Sequence, residues 1–293
     1  MVTTRKTNKV ITSTSNNTIA LSTTKPIISE YEEQNPRFRP TMEDQHEVRL
    51  NMCEGKVDGY FILDGHGGKS VAKNVKADLF NFIEKYLVDK PIPNKANLKK
   101  SIQEAVKTID TKLLKSGRYS TIGCTMVLCL LNKVTREITC GWLGDSRAVL
   151  VMESGDAVNL SEDHKPESPK ELARIKKLPG GFVTHQRGDA ARVNGNLATS
   201  RSFGDFGLKT PHLYVSNKPD FSVVKLFDAP FTLILGCDGL FDVIETKTLG
   251  KLVAAQKKID NKKIAPVVGL AALKNGSTDN ISVLAAFYDF SKK

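Results

Sequence analysis

Three strand-like stretches follow one another along the chain, at residues 121–131, 137–143 and 147–152, with only short turns between them. Connections this short suit antiparallel pairing, because parallel strands need a longer crossover. Apolar residues recur at helical spacing in two regions, residues 69–115 and 247–274, each long enough for a pair of helices. Helices grouped in pairs argue against a doubly wound parallel sheet. The order of elements therefore predicts an α+β fold, with two packed antiparallel sheets flanked by helices.

The sequence predicts a tail followed by a single domain. Residues 1–24 are rich in Thr, Ser and Asn and lack hydrophobic periodicity, so we expect a flexible tail. Residues 25–293 are expected to form one domain, in which the Pro- and Gly-containing stretch 162–217 forms a loop-rich flap. The tail has no apolar run of the secretory kind and is a weak match to a mitochondrial leader. We expect an intracellular protein of the cytoplasm, the nucleus or both, with mitochondria less favoured.

Composition narrows the range of partners. The net charge of +11 suggests a polyanion, but about half of the excess lies in residues 247–293, where Lys falls on predicted helices. No zinc-finger spacing or aromatic-basic RNA motif accompanies it, so no nucleic-acid ligand is expected. The apolar stretch 125–131 is too short to cross a bilayer, so no membrane partner is expected. The five cysteines form no CxxC pair and are expected to be reduced thiols.

Carboxylates recur where predicted strands end or begin beside a turn. A single turn aspartate is usually explained by its bonds to nearby backbone N–H groups, but so many at strand ends indicate a cluster. Clustered carboxylates repel one another, and cations relieve the repulsion. Oxygen ligands without a Cys or His pair suit Mg²⁺ or Mn²⁺ rather than zinc. The acids are Glu43, Asp44, Asp64, Asp145, Asp238, Asp242 and Asp279.

The motifs that contain these acids, taken in order, resemble those of the metal-dependent serine/threonine protein phosphatases, the PPM or type 2C family. Eight ordered matches spread over about 245 residues are far more specific than any one of them. The matching elements are RPTMEDQH (39–46), DGHGG (64–68), STIGCTMV (120–127), GDSRA (144–148), EDHKP (162–166), RVNGNLATSRSFGDF (192–206), CDGLFDV (237–243) and STDNISV (277–283).

The resemblance implies a four-layer α-β-β-α fold, with a central antiparallel sandwich and a binuclear metal site at one end. By position, Asp64 would bridge two Mg²⁺ or Mn²⁺ ions. Asp238 and Asp279 would hold the first ion, while Glu43 and the Gly65 carbonyl would hold the second. A further pair, Asp145 and Asp242, matches the residues that some members use for a weaker third ion.

Three further residues acquire roles from the same resemblance. Arg39 would bind the substrate phosphate, since its planar guanidinium matches phosphate oxygens. His66 would act as the general acid for the leaving alkoxide. Asp44 would hydrogen-bond water at the metal site.

The activity expected from the resemblance is hydrolysis of phosphoserine and phosphothreonine in proteins by in-line attack of a metal-bridging water. The expected partners are phosphoprotein substrates, and the protein is expected to be a monomer. Two other functions remain open, namely an inactive scaffold of the same fold and a different two-metal phosphoesterase. A scaffold would be free to lose Asp64, Asp238 or Asp279, but this chain has all three.

Overall fold

The computed structural model describes residues 25–90 and 93–291, so the predicted tail lies outside the described residues. The helices are α1 (Met52–Gly55), α2 (Ser70–Leu87), α3 (Lys95–Lys115), α4 (Pro169–Lys176), α5 (Asp238–Phe241), α6 (Thr246–Lys257) and α7 (Ile264–Lys274). The strands are β1 (Ile27–Glu33), β2 (Gln45–Asn51), β3 (Val57–Leu63), β4 (Gly65–His66), β5 (Gly123–Cys124), β6 (Met126–Asn132), β7 (Glu137–Leu143), β8 (Arg147–Met152), β9 (Ala157–Asn159), β10 (Val183–Thr184), β11 (Arg192–Val193), β12 (Phe203–Gly204), β13 (Asp220–Lys225), β14 (Phe231–Gly236) and β15 (Ile281–Tyr288).

Two five-stranded antiparallel sheets form the centre of the fold. One sheet has the strand order β1-β15-β14-β8-β9, and the other has the order β13-β7-β6-β3-β2. Two small sheets complete the arrangement: β12-β5-β4 and the pair β10-β11. The antiparallel sandwich predicted from the short connections is therefore confirmed.

Alternating side chains of the central strands enter different cores, because successive residues of a strand point to opposite faces. In β3, Tyr60 and Ile62 pack between the two sheets, whereas Phe61 and Leu63 pack against α2 and α3. In β14, Leu235 faces the other sheet, while Ile234 on the opposite face packs against α6 and α7. Both sheets are thus covered on both faces, which produces the four layers α-β-β-α.

The predicted strand at 121–131 is divided in the structure. Residues Gly123–Cys124 pair with β4 and β12, whereas Met126–Asn132 pair with β3 and β7. Thr125 lies between them, and its hydroxyl hydrogen-bonds the Ser146 hydroxyl at 2.7 Å. The chain changes sheets at this residue, a switch that hydrophobicity alone did not reveal. The short edge strand β9 was also missed.

The other predicted elements have direct counterparts. The region 69–115 contains α2 and α3, and the region 247–274 contains α6 and α7. Residues 162–217 contain α4 and several two-residue strands, and their movement as a flap stays a prediction. All five cysteines are free, as expected. Within residues 25–90 and 93–291, no helix is both long and apolar enough to cross a membrane.

Truncating Leu235 should test how strongly the inter-sheet core stabilises the fold. This side chain is fully buried, so Leu235→Ala should lower the free energy of unfolding by about 2–5 kcal/mol through lost burial and a residual cavity. Leu270→Ala removes the same atoms from a side chain that is 53% exposed, and should cost no more than about 0.5 kcal/mol. Urea unfolding of the two variants measures the difference, and equal losses would contradict the layered packing.

Candidate functional site

The predicted acids gather at one end of the sandwich because their strands end or begin there. Asp64 follows β3 and Asp145 lies two residues beyond β7, in the same sheet. In the other sheet, Asp238 lies two residues beyond β14, and Asp279 lies two residues before β15. Gly236 of β14 pairs with Val283 of the antiparallel β15, so the end of one strand adjoins the start of the next. Acids far apart in sequence therefore share one edge.

The acids lie close enough to shift one another's ionisation. The pKa of Asp64 is raised well above its ordinary value, mainly by burial and then by the charges of Asp238 and Asp44. The pKa of Asp238 is also raised well above normal, mainly by burial and then by Asp145 and Asp279. Ionising all of these groups together is costly without a compensating cation.

Asp44 carries a buried oxygen that lacks a hydrogen-bond partner. The residue is 1% exposed, and within the described part of the chain its Oδ2 atom accepts no hydrogen bond of normal geometry. Burial raises the pKa of Asp44 to about 7, while the neighbouring side chains of Ser282 and Cys237 oppose the rise only in part. An acceptor oxygen in such a place is available to a water or another ligand.

Glu43 is fixed by contacts on both its backbone and its carboxylate. Its N–H donates to Asn280 Oδ1 at 2.9 Å, while its carboxylate accepts from Thr41 Oγ1 at 2.8 Å and from the Gly68 N–H at 2.9 Å. The Glu43 carbonyl lies so close to Gly65 that any Cβ at this position would overlap it. Gly65 is therefore required for the close approach of these two segments.

Two basic residues reach into the acidic cluster. Arg39 forms an ion pair with Asp279, and its charge partly opposes the burial that raises the pKa of Asp279. Lys165 Nζ lies 2.8 Å from Asp145 Oδ2 and 3.4 Å from Asp242 Oδ1. The cluster is thus partly neutralised by side chains of the protein itself.

His66 is held by a buried carboxylate. Its Nε2 atom lies 2.8 Å from Asp205 Oδ2, and Asp205 also accepts a hydrogen bond from Ser202 Oγ. Asp205 is 2% exposed. A side chain at position 123 would overlap both His66 and Asp205, so Gly123 leaves room for the pair. These contacts fix the orientation of the imidazole ring.

The structure brings the predicted residues to one region without forming a closed ligand shell. Among residues 25–90 and 93–291, no three His, Cys, Asp or Glu side chains converge in a group that could hold a metal ion. Glu43 is occupied by N–H and O–H donors, Asp279 by Arg39, and Asp145 with Asp242 by Lys165. The roles of these residues as metal ligands therefore stay predictions.

No role was predicted for Lys165, Asp205 or Asn280. Their one signal in the sequence is that they lie in the motifs EDHKP, RVNGNLATSRSFGDF and STDNISV. Their contacts join residues distant along the chain, for example His66 with Asp205 and Asn280 with Glu43. Spacing within a motif does not reveal such pairs.

Comparison with known proteins identifies a family. The family model described as "Protein phosphatase 2C" matches residues 31–281. The chain is 32% identical to the Bos taurus "Protein phosphatase 1L" over 265 residues, which cover 87% of this chain and 71% of the relative. It is 32% identical to the Saccharomyces cerevisiae "Protein phosphatase 2C homolog 1", with coverage of 87% and 91%. The Arabidopsis thaliana "Probable protein phosphatase 2C 71" is 36% identical, and the match spans 54% of its length.

Solved structures share the fold at lower identity. A serine-threonine phosphatase 2C from Toxoplasma gondii superimposes with a TM-score of 0.74 at 22% identity, covering 90% of this chain and 98% of its own. A Caenorhabditis elegans sex determining protein has a TM-score of 0.78 at 23% identity, covering 89% of this chain and 64% of its own. These two similarities concern the fold alone.

Replacing Asp64 by Asn should stabilise the metal-free protein at high pH. A carboxyl with a raised pKa binds more protons folded than unfolded, so its stabilising effect is present below about pH 4 and is lost as pH rises through the folded pKa. Asn cannot ionise. At pH 8 the free energy of unfolding of Asp64→Asn should therefore exceed that of the wild type by about 1–3 kcal/mol, and this gain should shrink toward pH 4. Chemical unfolding in the presence of a metal chelator measures the free energy of unfolding of both proteins between pH 4 and pH 8.

The exposed residue Asp89 offers a matched control, because Asp89→Asn makes the same chemical change outside the cluster. It should leave the pH dependence of unfolding unchanged. A gain from Asp64→Asn that is the same at pH 4 and pH 8 would contradict the electrostatic origin.

Proposed function

The chain belongs to the protein phosphatase 2C family, and from this membership we propose that it hydrolyses phosphoserine and phosphothreonine in proteins in a reaction that depends on divalent metal ions. The family is metal-dependent, and curated relatives that match most of the chain are protein phosphatases. Mg²⁺ or Mn²⁺ is the proposed cofactor, with two ions in each subunit and a weaker third.

One geometric observation carries this proposal. Asp64, Asp145, Asp238 and Asp279 come from separate strand ends, yet at one end of the sandwich the charges of the other three help burial to raise the pKa of Asp64. Carboxylates clustered where little water screens them do not stabilise a fold, because their mutual repulsion opposes folding. A shared role in binding cations offsets that cost, and perturbed acids of this kind mark functional sites.

The residues at the site fit hard divalent cations. Every predicted ligand is an oxygen, and the Asp44 Oδ2 atom has no hydrogen-bond partner among the described residues. Asp64, Asp238, Asp279, Glu43 and the Gly65 carbonyl would hold two ions, and Asp145 with Asp242 the third. When bound, the two ions lower the pKa of the attacking water and neutralise phosphate charge. Binding requires Asp279 to exchange its Arg39 partner for a cation.

Arg39 is suited to the substrate phosphate once it leaves Asp279. Its side chain is 48% exposed at the rim of the cluster, and its guanidinium already pairs with a carboxylate. The planar fork binds phosphate oxygens with the same geometry. Asp44 would orient water through its unpartnered Oδ2 atom, which lies within the cluster.

His66 would give a proton to the serine or threonine oxygen as the P–O bond breaks. Its Nε2 atom faces Asp205, so the proton it transfers is the one on Nδ1. An alkoxide is a poor leaving group unless it is protonated, and imidazole can do this near neutral pH. Asp205 keeps the ring oriented for that transfer.

Two alternative functions fit the structure less well. An inactive scaffold would not need Asp64, Asp238 and Asp279 together, and here the charges of Asp238 and Asp279 both act on Asp64. A nuclease would need its basic surface beside the acids. The basic cavity near the C-terminal helices is instead lined by Lys247, Lys251 and Lys258, and contains none of the predicted site residues.

Partners and location are proposals that follow from the family. Phosphoproteins are the proposed substrates, and we propose that the protein acts as a monomer without nucleic-acid or membrane partners. The proposed compartment is intracellular, in the cytoplasm, the nucleus or both. Loops often determine substrate specificity, which points to residues 162–217 as the segment that selects among phosphoproteins.

Removal of divalent cations should abolish hydrolysis of a phosphothreonine peptide, and Mn²⁺ or Mg²⁺ should restore it. Asp238→Asn should lower kcat by about 10²-fold or more, because it removes a charged ligand from the centre. The exposed Asp156→Asn variant should retain full activity. Phosphate release from the peptide measures the wild type and both variants, and gel electrophoresis of single-stranded DNA measures cleavage of the alternative substrate, since a nuclease releases oligonucleotides rather than inorganic phosphate. Full activity in excess chelator would refute the metal-dependent mechanism, and faster cleavage of DNA would favour the nuclease.

Substitutions of His66 and Arg39 should have different effects on two phosphate esters. His66→Gln should slow phosphopeptide hydrolysis by about 10²–10⁴-fold, since the alkoxide needs an acid, but should slow nitrophenyl phosphate much less. Arg39→Ala should raise KM for both esters, because both carry the phosphate. Arg37→Ala removes a neighbouring exposed arginine and should change neither. Steady-state kcat and KM decide the matter, and equal losses of kcat on both esters in His66→Gln would refute the acid role.

A further inference from the structure

Lys165 is positioned by a rigid backbone segment. The preceding residue, His164, donates its backbone N–H to the Gly144 carbonyl at 3.0 Å, and its ring Nδ1 accepts from the Gly144 N–H at 3.1 Å. His164 is itself 4% exposed. These two hydrogen bonds tie the EDHKP segment to the turn that carries Asp145. Lys165 is therefore fixed at its Cα beside the acids, unlike a lysine on an open surface.

The Lys165 ammonium is shared between two acids. Nζ lies 2.8 Å from Asp145 Oδ2 and 3.4 Å from Asp242 Oδ1. Among the described residues, Lys165 is the only base that forms an ion pair with either acid. The nearby Arg147 is engaged with Asp163, at 2.9 Å and 2.7 Å. One positive charge is thus shared by two carboxylates, so these three side chains together keep a net negative charge.

The Lys165 side chain also borders a cavity that contains other carboxylates. It lines a cavity of about 620 Å³ whose wall includes Glu162 and Glu167. Both glutamates are exposed, and neither forms an ion pair with a described residue. An ammonium that leaves Asp145 and Asp242 can therefore rotate toward other carboxylates without losing all of its favourable interactions.

We propose that Lys165 is a built-in counter-cation for Asp145 and Asp242, and that a divalent ion binds at this pair only by displacing its ammonium. The inference rests on the proposed ligand roles of these two acids. It gives a physical reason for this site to be the weakest, because an ion there must compete with a cation attached to the protein. Lys165 thereby sets the divalent concentration at which the third position fills.

Binding of Mn²⁺ to the metal-free protein tests the proposal without measuring activity. Electron paramagnetic resonance counts free Mn²⁺ during titration of the wild type, Lys165→Met and Lys165→Arg. Loss of the ammonium should tighten the weakest site by about tenfold or more, or make a third site measurable, since a positive charge within about 4 Å of the ion is removed. Lys165→Arg keeps the charge and should bind like the wild type.

Two further variants assign any change to this pair of acids. In Lys165→Met combined with Asp145→Asn, the tightened site should be lost again. Lys100→Met removes an exposed lysine that pairs with Glu104 on α3, and should leave all Mn²⁺ affinities unchanged. If Lys165→Met fails to fold, as judged by thermal unfolding, Lys165→Gln replaces it in the same titration.

The outcomes are decisive in both directions. A Lys165→Met protein whose Mn²⁺ sites match the wild type in number and affinity would overturn the proposal and leave Lys165 a structural ion pair. An equal tightening in Lys100→Met would also overturn it. Phosphopeptide turnover by the wild type is measured separately. An inactive wild type would refute the proposed function, whereas an active wild type with unchanged Lys165→Met affinities would refute only the role of Lys165.

Discussion

Repulsion among carboxylates that the sandwich holds at one end is the constraint on which the site depends. The antiparallel strands place Asp64, Asp145, Asp238 and Asp279 at a shared edge, and burial removes much of the water that would screen them. The raised pKa values of Asp64, Asp238 and Asp279 are consistent with that repulsion and with burial. A cation at this edge is favourable for the same reason that the acids alone are not.

Basic side chains and hydrogen-bond donors of the protein itself offset part of this repulsion. Arg39 pairs with Asp279 and Lys165 pairs with Asp145, while backbone and hydroxyl donors occupy Glu43. These partners stabilise the metal-free fold, and the proposed binding of ions would require them to be exchanged. The same arginine is suited to substrate phosphate, so one side chain would serve the fold before ions bind and the substrate afterwards. The same charged side chains would therefore affect both the stability of the metal-free fold and the binding of ions and substrate.

The sequence predicted the layers and the acids because both depend on local patterns. Alternation of apolar residues identified β3 and β14, and short turns between strands required antiparallel pairing. The position of Thr125, where the chain changes sheets, was not predicted, because pairing with β4 and β12 leaves no trace in hydrophobicity.

The partners of the site residues were also beyond local patterns. His66 meets Asp205, and Lys165 meets Asp145, only after the chain has folded. A lysine within EDHKP looks like any surface lysine until the turn that contains Gly144 is placed beside it. The resemblance to a family supplied roles for the acids, but it did not supply the cations that neutralise them.

The most direct test of the account counts the protons released when Mn²⁺ binds. Titration calorimetry of the metal-free protein at pH 6.5, in two buffers of different ionisation enthalpy, separates proton release from metal binding. Because the raised pKa values, that of Asp44 reaching about 7, leave the cluster partly protonated, saturation should release about one proton or more per protein. Binding without proton release, or no binding at all, would contradict the claim that these strained carboxylates are the metal site.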